Sequence, residues 1–255
     1  MDSVAGLGRL RRRHVPWLPG AGKQLGRRGA HRVGPHAQLL QDRRRDALLE
    51  QPGQQVMRAD LGRPVRGGFP ARPLQSGTAP APDWLRQAAR ELGLGDSAVA
   101  ELEAADLVHL DGGAVTVAYP FSGTPTRQRV ELDGFPAVYA MCAIDALGIP
   151  VMAGRDGRIA ATDPHDGAPV VVSVRAGQWR WTPAGAVVVF ARTADCGTDC
   201  TSWEVLCPHT TFHVSRDNAQ AYLSARDGIE GKILDQQAAV ERGRRNFGPM
   251  LGGPA

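Results

Sequence analysis

The sequence has no run of about 18 apolar residues, which is the least that a membrane-spanning helix needs. It also lacks the apolar segment that follows the basic N-terminus of a signal peptide. Aromatic residues make up only 5% of the chain, and four cysteines are too few for a disulfide-dense secreted fold. We therefore expect a cytoplasmic protein with reduced cysteines and no membrane contact.

Enough apolar material is present for a core. The chain has 255 residues, of which 42% are hydrophobic, so it can form one large domain or two small ones. Its 31 glycines and 19 prolines favour many short elements joined by turns over a few long helices.

The positive charge of the chain is concentrated at its start. Residues 1–80 hold 15 Lys and Arg and 5 Asp and Glu, a net charge of +10, whereas the remaining residues hold 15 and 21, a net charge of −6. The two parts sum to the overall charge of +4. Because the larger part is acidic, we do not expect nucleic acid as its partner.

Residues 1–74 differ in composition from the rest of the chain. Arginine runs at 11–13, 27–28 and 43–45 are separated by Gly, Pro and Gln, with few apolar residues at a helical period. Such a segment buries too little apolar surface to fold, so we predict a basic, disordered extension. We favour an extension without function, or a start codon assigned too early with Met57 as an internal start, over a nucleic-acid arm or a targeting peptide.

Residues 75–118 predict a winged-helix-like module, which is two helices followed by a two-stranded hairpin. A helical period runs through 83–92, and a second helix extends to Leu107. A turn at 111–113 then joins two alternating segments. The second helix has no Lys or Arg and three acidic residues, Glu101, Glu103 and Asp106. Phosphates would repel it, so we expect this module to serve in packing rather than in DNA binding.

Residues 119–250 predict a domain of short, mainly antiparallel strands with flanking helices. Two nearly continuous apolar segments, 170–174 and 186–191, suit buried strands, and turns lie between the strands at 155–157 and 166–169. Together with the first module, this gives an α+β fold class.

Helices are predicted on both sides of these strands. Pro150 should end the helix that begins near Cys142, since proline cannot continue the hydrogen-bond ladder. Residues 216–245 predict one amphipathic helix or two, capped by Ser215 or Asp217. His213, just ahead of them, is interpreted as a polar residue near a strand end.

The run from Tyr139 to Pro150 places a thiol and a carboxylate three residues apart among apolar side chains. On a helix, Cys142 and Asp145 lie on the same face. Apolar surroundings raise the pKa of a carboxyl, so Asp145 becomes a proton carrier beside a thiol that suits nucleophilic attack or soft-metal binding. On spacing alone, the commoner case is a buried structural cysteine with an aspartate that faces solvent or caps a turn.

The other three cysteines lie close together at 196, 200 and 207. Cys142, Cys207 and Asp145 form a set suited to soft electrophiles, in which thiolates bind a thiophilic metal and the carboxyl delivers a proton. A structural zinc site is an alternative, although its spacing differs from the usual pair of short hooks. Its ligands would be Cys196, Cys200, Cys207 and His209. A cysteine protease with His209 as its base is a further alternative that nothing in the local sequence favours.

The run Met141-Cys142-Ala143-Ile144-Asp145 resembles the Cys-Ala-Leu-Asp stretch of the organomercurial lyases, also called alkylmercury lyases. Further segments follow in the order of that family, namely Pro120-Phe121-Ser122-Gly123, Gly167-Ala168-Pro169-Val170, Cys207 ahead of Thr211-Phe212-His213, and Gly228-Ile229-Glu230-Gly231. The family also has a winged-helix-like module ahead of its site. The resemblance covers about residues 75–248 and does not extend to the basic extension.

The resemblance implies protonolytic cleavage of a carbon–mercury bond, with release of a hydrocarbon and Hg(II), for mercury detoxification. It implies that Cys142 and Cys207 bind the mercury and that Asp145 transfers the proton in contact with the metal. No cofactor is implied. Hg(II) remains on the sulfurs until a low-molecular-weight thiol or a mercuric reductase removes it. The competing hypothesis is a metal-binding or metal-sensing protein on the same scaffold, without turnover.

Three features depart from the family pattern. Asp163 lies where family members often carry another cysteine, and Pro208 directly follows Cys207. Cys196 and Cys200 are additional thiols. These two are candidates for accessory mercury ligands, or for the second thiol in place of Cys207.

Overall fold

The computed structural model describes residues 77, 79, 81–91, 97–196 and 200–248. The predicted basic extension over 1–74 lies outside the described residues, so its disorder stays a prediction. Within the described part, no helix has the length and apolar character that crossing a membrane requires.

Two helices and a hairpin come first. They are α1 (Pro82–Glu91), α2 (Ala98–Ala104), β1 (Val108–Asp111) and β2 (Ala114–Ala118). Leu85 of α1 is only 3% exposed and packs in one apolar cluster with Val108, Val115 and Ala118 of the hairpin. Gly112 and Gly113 both have positive φ, as the tight turn between the strands requires. The predicted order of elements is confirmed, and its description as a winged helix stays a prediction.

One large antiparallel sheet continues from this hairpin. Its further strands are β3 (Phe121–Ser122), β4 (Gln128–Leu132), β5 (Val138–Ala140), β6 (Gly157–Thr162), β7 (Pro169–Arg175) and β8 (Gln178–Thr182). The eight strands lie in the order β1-β2-β3-β5-β4-β6-β7-β8, and every pairing is antiparallel. The predicted short antiparallel strands are therefore confirmed.

A second, three-stranded sheet, four more α-helices and a single 3-10 turn at Cys207–His209 complete the described part. The strands are β9 (Val187–Thr193), β10 (Thr211–His213) and β11 (Ile229–Leu234), in the antiparallel order β10-β9-β11. The helices are α3 (Ala143–Ala153), α4 (Ser202–Val205), α5 (Arg216–Ser224) and α6 (Gln236–Phe247). Of the two predicted caps, Ser215 is the one that begins α5, where its hydroxyl accepts the N–H of Asn218 at 3.1 Å.

Residues 216–245 contain two helices, which confirms the second of the two predicted alternatives, but the expectation of helix at 229–234 is wrong because strand β11 lies there. Ile229 and Ile233 lie in β11, which pairs with the buried strand β9. A spacing of four residues fits one face of a helix and equally one face of a strand. Gly231 permits the close pairing, since a Cβ there would lie 2.3 Å from the Cβ of Ala191.

Helix α3 lies in the centre of the core. Every residue from Ala143 to Pro150 is buried. The helix packs against α6, where Gly148 and Gly243 allow the two backbones to approach closely. A Cβ at position 148 would lie 2.2 Å from the ring of Phe247.

The prediction that Pro150 ends this helix is wrong. The helix continues to Ala153 and ends at Gly154, whose φ of 59° is the left-handed conformation that favours glycine. Proline removes one backbone hydrogen bond from the ladder. Burial of almost all the side chains of α3 offsets that loss.

Candidate active site

Three segments of the chain meet where helix α3 begins. The N–H of Met141 donates to the carbonyl of Pro120 at 3.2 Å, and the N–H of Ala143 donates to the carbonyl of Thr210 at 3.0 Å. Cys142, between these donors, is the extended residue that precedes the helix rather than part of its first turn. These backbone bonds place its thiol between the turn after β2 and the segment that carries Cys207.

The structure brings Cys142, Asp145 and Cys207 together. Their sulfur and carboxylate atoms all lie within 4.8 Å of one another, and each residue is at most 5% exposed. The Sγ of Cys207 lies 4.0 Å from Oδ2 of Asp145. Two thiols and one carboxyl therefore share a site that is nearly closed to water.

Burial raises the pKa of Asp145 from 3.8 to about 7. Hydrogen bonds from the thiol and the backbone of Cys142 oppose this rise, and the negative charge of Asp106 adds to it. A carboxyl with such a pKa can accept and return a proton near neutral pH. Asp145 thus neither faces solvent nor stays a permanently ionised group.

The thiol of Cys142 is held in its protonated form. Burial raises its pKa well above the ordinary value, and the neighbouring Cys207 and Asp145 raise it further. Ionisation of this thiol therefore needs an acceptor for its proton within the site. Asp145 is that acceptor by position.

Tyr119 is a fourth polar side chain of the site, and the sequence interpretation missed it. Its hydroxyl lies 3.3 Å from Sγ of Cys207, and the residue is 9% exposed. Burial, followed by the nearby Cys207 and Asp145, raises the pKa of Tyr119, so the phenol stays neutral. The contact joins residues 88 positions apart, so the only signal was its place directly before the Pro120 segment that carries the family resemblance.

A pocket of about 390 Å³ reaches the site from the side of Cys207. Its walls combine apolar and polar side chains, namely Pro125, Thr126, Arg127, Gln128, Met141, Trp203, Cys207, Pro208 and Thr211. Trp203, one of these lining residues, is 41% exposed. Cys207 is the member of the buried group that lines this pocket.

Cys196 and Cys200 form a disulfide, with Cα atoms 6.1 Å apart. The expectation that all four cysteines are reduced is therefore wrong for this pair, while Cys142 and Cys207 are free. This Cα–Cα distance lies within the range usual for a disulfide. Oxidised sulfurs are not thiolate ligands, so the ligands of the alternative zinc site are not assembled.

His209 does not serve as a base for a thiol. Its Nε2 lies 3.3 Å from the hydroxyl of Thr193. Burial, followed by the charge of Arg226, lowers its pKa. The structure thus offers no support for the cysteine-protease alternative.

His213 and Asp163 form a fully buried pair with a structural role. Nδ1 of His213 lies 2.8 Å from Oδ1 of Asp163, and neither side chain is exposed. The other carboxylate oxygen accepts hydrogen bonds from the backbone of Val214 and the side chain of Asn218. His213 is at the end of β10, as expected, but it is buried against the ring of Tyr222. Asp163 thereby fixes β10 to the segment between β6 and β7.

The family model for alkylmercury lyases matches residues 121–248. The alkylmercury lyase of Staphylococcus epidermidis is 31% identical to the chain over 137 residues, which are 54% of this chain and 61% of that protein. The alkylmercury lyase of Bacillus cereus is 28% identical over 144 residues, which are 56% of this chain and 63% of that protein. The aligned part thus spans less than two thirds of the length of these relatives.

The crystal structure of the mercury-bound form of MerB2 is similar to the chain with a TM-score of 0.59. The alignment covers 81% of this chain and 96% of that one, with 19% sequence identity. At this identity the likeness shows a shared fold. The α+β class, with mixed helices and antiparallel strands, agrees with it. Residues 121–248, which match the family model, contain Cys142, Asp145 and Cys207.

Proposed function

Since the chain belongs to the alkylmercury lyase family, we propose that it is an organomercurial lyase, which splits a carbon–mercury bond into a hydrocarbon and Hg(II). The observation that carries this proposal is the buried group of Cys142, Asp145 and Cys207 within 4.8 Å. Thiolates bind soft metals such as mercury, and a carboxyl with a pKa of about 7 exchanges protons at neutral pH. The reaction needs no cofactor.

Cys207 is the thiol that the substrate R–Hg–X meets first, because it lines the pocket. Asp145, as a carboxylate, takes the proton of this thiol across the 4.0 Å that separates them. The thiolate then forms an S–Hg bond and displaces X⁻. The organic group remains on mercury, and the proton remains on Asp145.

Cys142 completes the reaction from the buried side. Its sulfur adds to mercury and pushes electron density toward the metal, so the C–Hg bond breaks with its electron pair on carbon. The proton on Asp145 passes to that carbon, and R–H leaves. Asp145 then accepts the proton of Cys142 and releases it to solvent, where it balances the X⁻ displaced in the first step, and the carboxylate is restored. Two thiols and R–Hg–X thus give R–H, HX and Hg(II) on two sulfurs.

Hg(II) leaves the site by exchange with other thiols. Low-molecular-weight thiols, and a mercuric reductase that accepts the metal, are the partners that this chemistry favours. An excess of reduced thiol is available in the cytoplasm, where we place the protein. Mercury detoxification is the role that follows.

The test is turnover of an arylmercurial. Purified protein is incubated with phenylmercuric acetate and excess thiol, and benzene is measured by gas chromatography. We expect several equivalents of benzene per protein, and none with Cys142→Ser. Bound mercury without benzene would contradict the lyase and favour the metal-binding or metal-sensing alternative on the same scaffold.

We also propose that 75–118 form a winged-helix-like module and 119–250 the catalytic domain, with 1–74 as a disordered extension. The order of α1, α2, β1 and β2 supports the module. Its hairpin extends the large sheet through the pairing of β2 with β3. Limited proteolysis should remove the extension and leave a stable fragment that begins near residue 75. A stable fragment that retains the extension would contradict the division.

A further inference from the structure

Asp106 has an unusual backbone conformation and well-defined partners. Its φ of 57° lies in the left-handed region, which is disfavoured for residues other than glycine, although Asn and Asp tolerate it better than most. Its side chain is only 18% exposed. The residue precedes the segment 121–248 that matches the family model. A disfavoured conformation persists where surrounding contacts enforce it.

The carboxylate of Asp106 binds the start of helix α4. Oδ2 accepts the backbone N–H of Ser202 at 2.7 Å, and the hydroxyl of Ser202 donates to the same oxygen. The other oxygen lies 2.6 Å from Nε2 of His109. One side chain thus links residues 96 positions apart and ties the first module to the segment that leads into the active site.

This contact continues to the thiol of Cys207. The carbonyl of Ser202 accepts the N–H of Leu206 at 2.9 Å, and Cys207 is the next residue. Trp203, beside Ser202, lines the same pocket as Cys207. The ring of His109 lies 5.8 Å from the ring of Trp203. Asp106 therefore bonds directly to Ser202. It also bonds to His109, whose ring lies beside Trp203 in the wall of the pocket.

We propose that Asp106 is a positioning residue, which holds the thiol of Cys207 and the indole of Trp203 in place opposite Cys142. The catalytic consequence rests on the proposed lyase function. The positioning itself also governs the binding of Hg(II), since two sulfurs must reach one metal ion. A loss of this contact lets the short helix α4 shift and separates the two thiols.

Two substitutions at the same position isolate the contact. Asp106→Gly keeps the left-handed backbone and removes the acceptor, whereas Asp106→Asn tolerates this backbone and keeps one oxygen for Ser202. We expect kcat with phenylmercuric acetate to fall at least about tenfold in the Gly variant, because hydrogen bonds to a charged acceptor are lost. The Asn variant should retain about half of the wild-type activity, because its amide oxygen can still accept the hydrogen bonds of Ser202. A result of this kind would show that the acceptor matters, and not merely a side chain that fills the space.

A second readout does not depend on turnover. Hg(II) affinity is measured by competition with a small dithiol, and it should fall about tenfold in the Gly variant but change little in the Asn variant. Wild-type protein that forms no benzene would refute the proposed function. The difference in Hg(II) affinity between the two variants would still decide the positioning role.

Equal Hg(II) affinity in Asp106→Gly and wild type would overturn the proposal. If the Gly variant does not fold, Ser202→Ala takes its place, since it removes the hydroxyl contact and leaves the backbone N–H. We then expect a smaller loss of both kcat and Hg(II) affinity. A Ser202→Ala protein indistinguishable from wild type in both would overturn the proposal equally.

Discussion

The two free thiols of the site lie on very different backbone elements. Cys142 directly precedes helix α3, which is buried from Ala143 to Pro150. Cys207 lies on a single turn, beside a pocket and the exposed Trp203. Helix α3 is enclosed by the core, whereas the turn at Cys207 joins the same core through Leu206 and Cys207 and also borders the pocket. The comparison indicates that one thiol gives a fixed position and the other gives access.

This difference suits a reaction that must admit a substrate and yet exclude water. Asp145 lies on the rigid side with Cys142, so the proton carrier and the buried thiol keep a constant geometry. Cys207 faces the pocket and can meet the substrate without an opening of the core.

The strongest test of this comparison is the removal of each thiol. Cys142→Ser and Cys207→Ser should each lower turnover more than about a thousandfold, since a hydroxyl stays protonated and is a hard ligand. Benzene release from phenylmercuric acetate measures the loss. Residual activity in one variant alone would show that the two thiols are not both required.

Removal of the proton carrier should separate catalysis from binding. Asp145→Asn should lower turnover at least about a hundredfold, because the amide cannot shuttle a proton. Affinity for Hg(II) should fall much less, since both thiols remain. Benzene release and competition with a dithiol give the two quantities. Equal losses in both would show that Asp145 acts as a metal ligand rather than as a proton carrier.

The Asp145→Asn variant also tests the raised pKa of Asp145, through the pH dependence of the free energy of unfolding. The pKa of Asp145 is 3.8 in the unfolded chain and about 7 in the folded protein, so folding favours the protonated form. This contribution is fully present below pH 3.8 and is lost as pH rises through 7. Asp145→Asn lacks the effect, so its stability relative to wild type should rise by up to about 4 kcal/mol between pH 4 and pH 8. Urea unfolding at each pH measures it, and a constant difference would refute the shift.

The rigid side is tested in the packing of α3 against α6. Gly148→Ala should lower the free energy of unfolding by about 2 kcal/mol, because the added Cβ would meet the ring of Phe247. Gly185→Ala is the matched control, since its nearest neighbour atom would be 3.9 Å away. Chemical unfolding compares the two variants. Equal stability in both would show that this helix contact is looser than its geometry indicates.

Local spacing singled out Cys142 and Asp145, which are three residues apart, but the helical register expected for them is wrong for Cys142. This residue is extended and precedes helix α3, so backbone contacts with other segments place its thiol beside Asp145. Cys207 is 62 residues from Asp145, so no local spacing joins them; the chemistry of two thiols and a carboxyl suggested the set, and the ordered motifs of the family supported it. The contacts of Tyr119 and Asp106 depend on tertiary structure, for which a single sequence has no local signal.

The fold shows the same limit. The antiparallel strands followed from apolar runs and turns, whereas β11 was mistaken for helix because Ile229 and Ile233 fit either period. Pro150 was expected to end a helix that the core stabilises beyond it. Burial of His213 with Asp163 requires strand β10 to meet the segment that follows β6, and no spacing in the sequence shows this contact.

The smallest expected effect comes from removal of the disulfide, which precedes Cys207 on the accessible side of the site. Cys196→Ser and Cys200→Ser should each leave turnover within about twofold of wild type, because neither sulfur belongs to the buried group. Loss of this short loop closure should lower the free energy of unfolding by no more than about 2 kcal/mol. Benzene release measures the turnover, and chemical unfolding measures the stability.

Unfolding of either variant with loss of bound zinc would instead restore the structural zinc alternative. If Cys200→Ser abolishes turnover and Cys207→Ser does not, Cys200 is the second thiol, and the accessible side of the site has been assigned to the wrong residue.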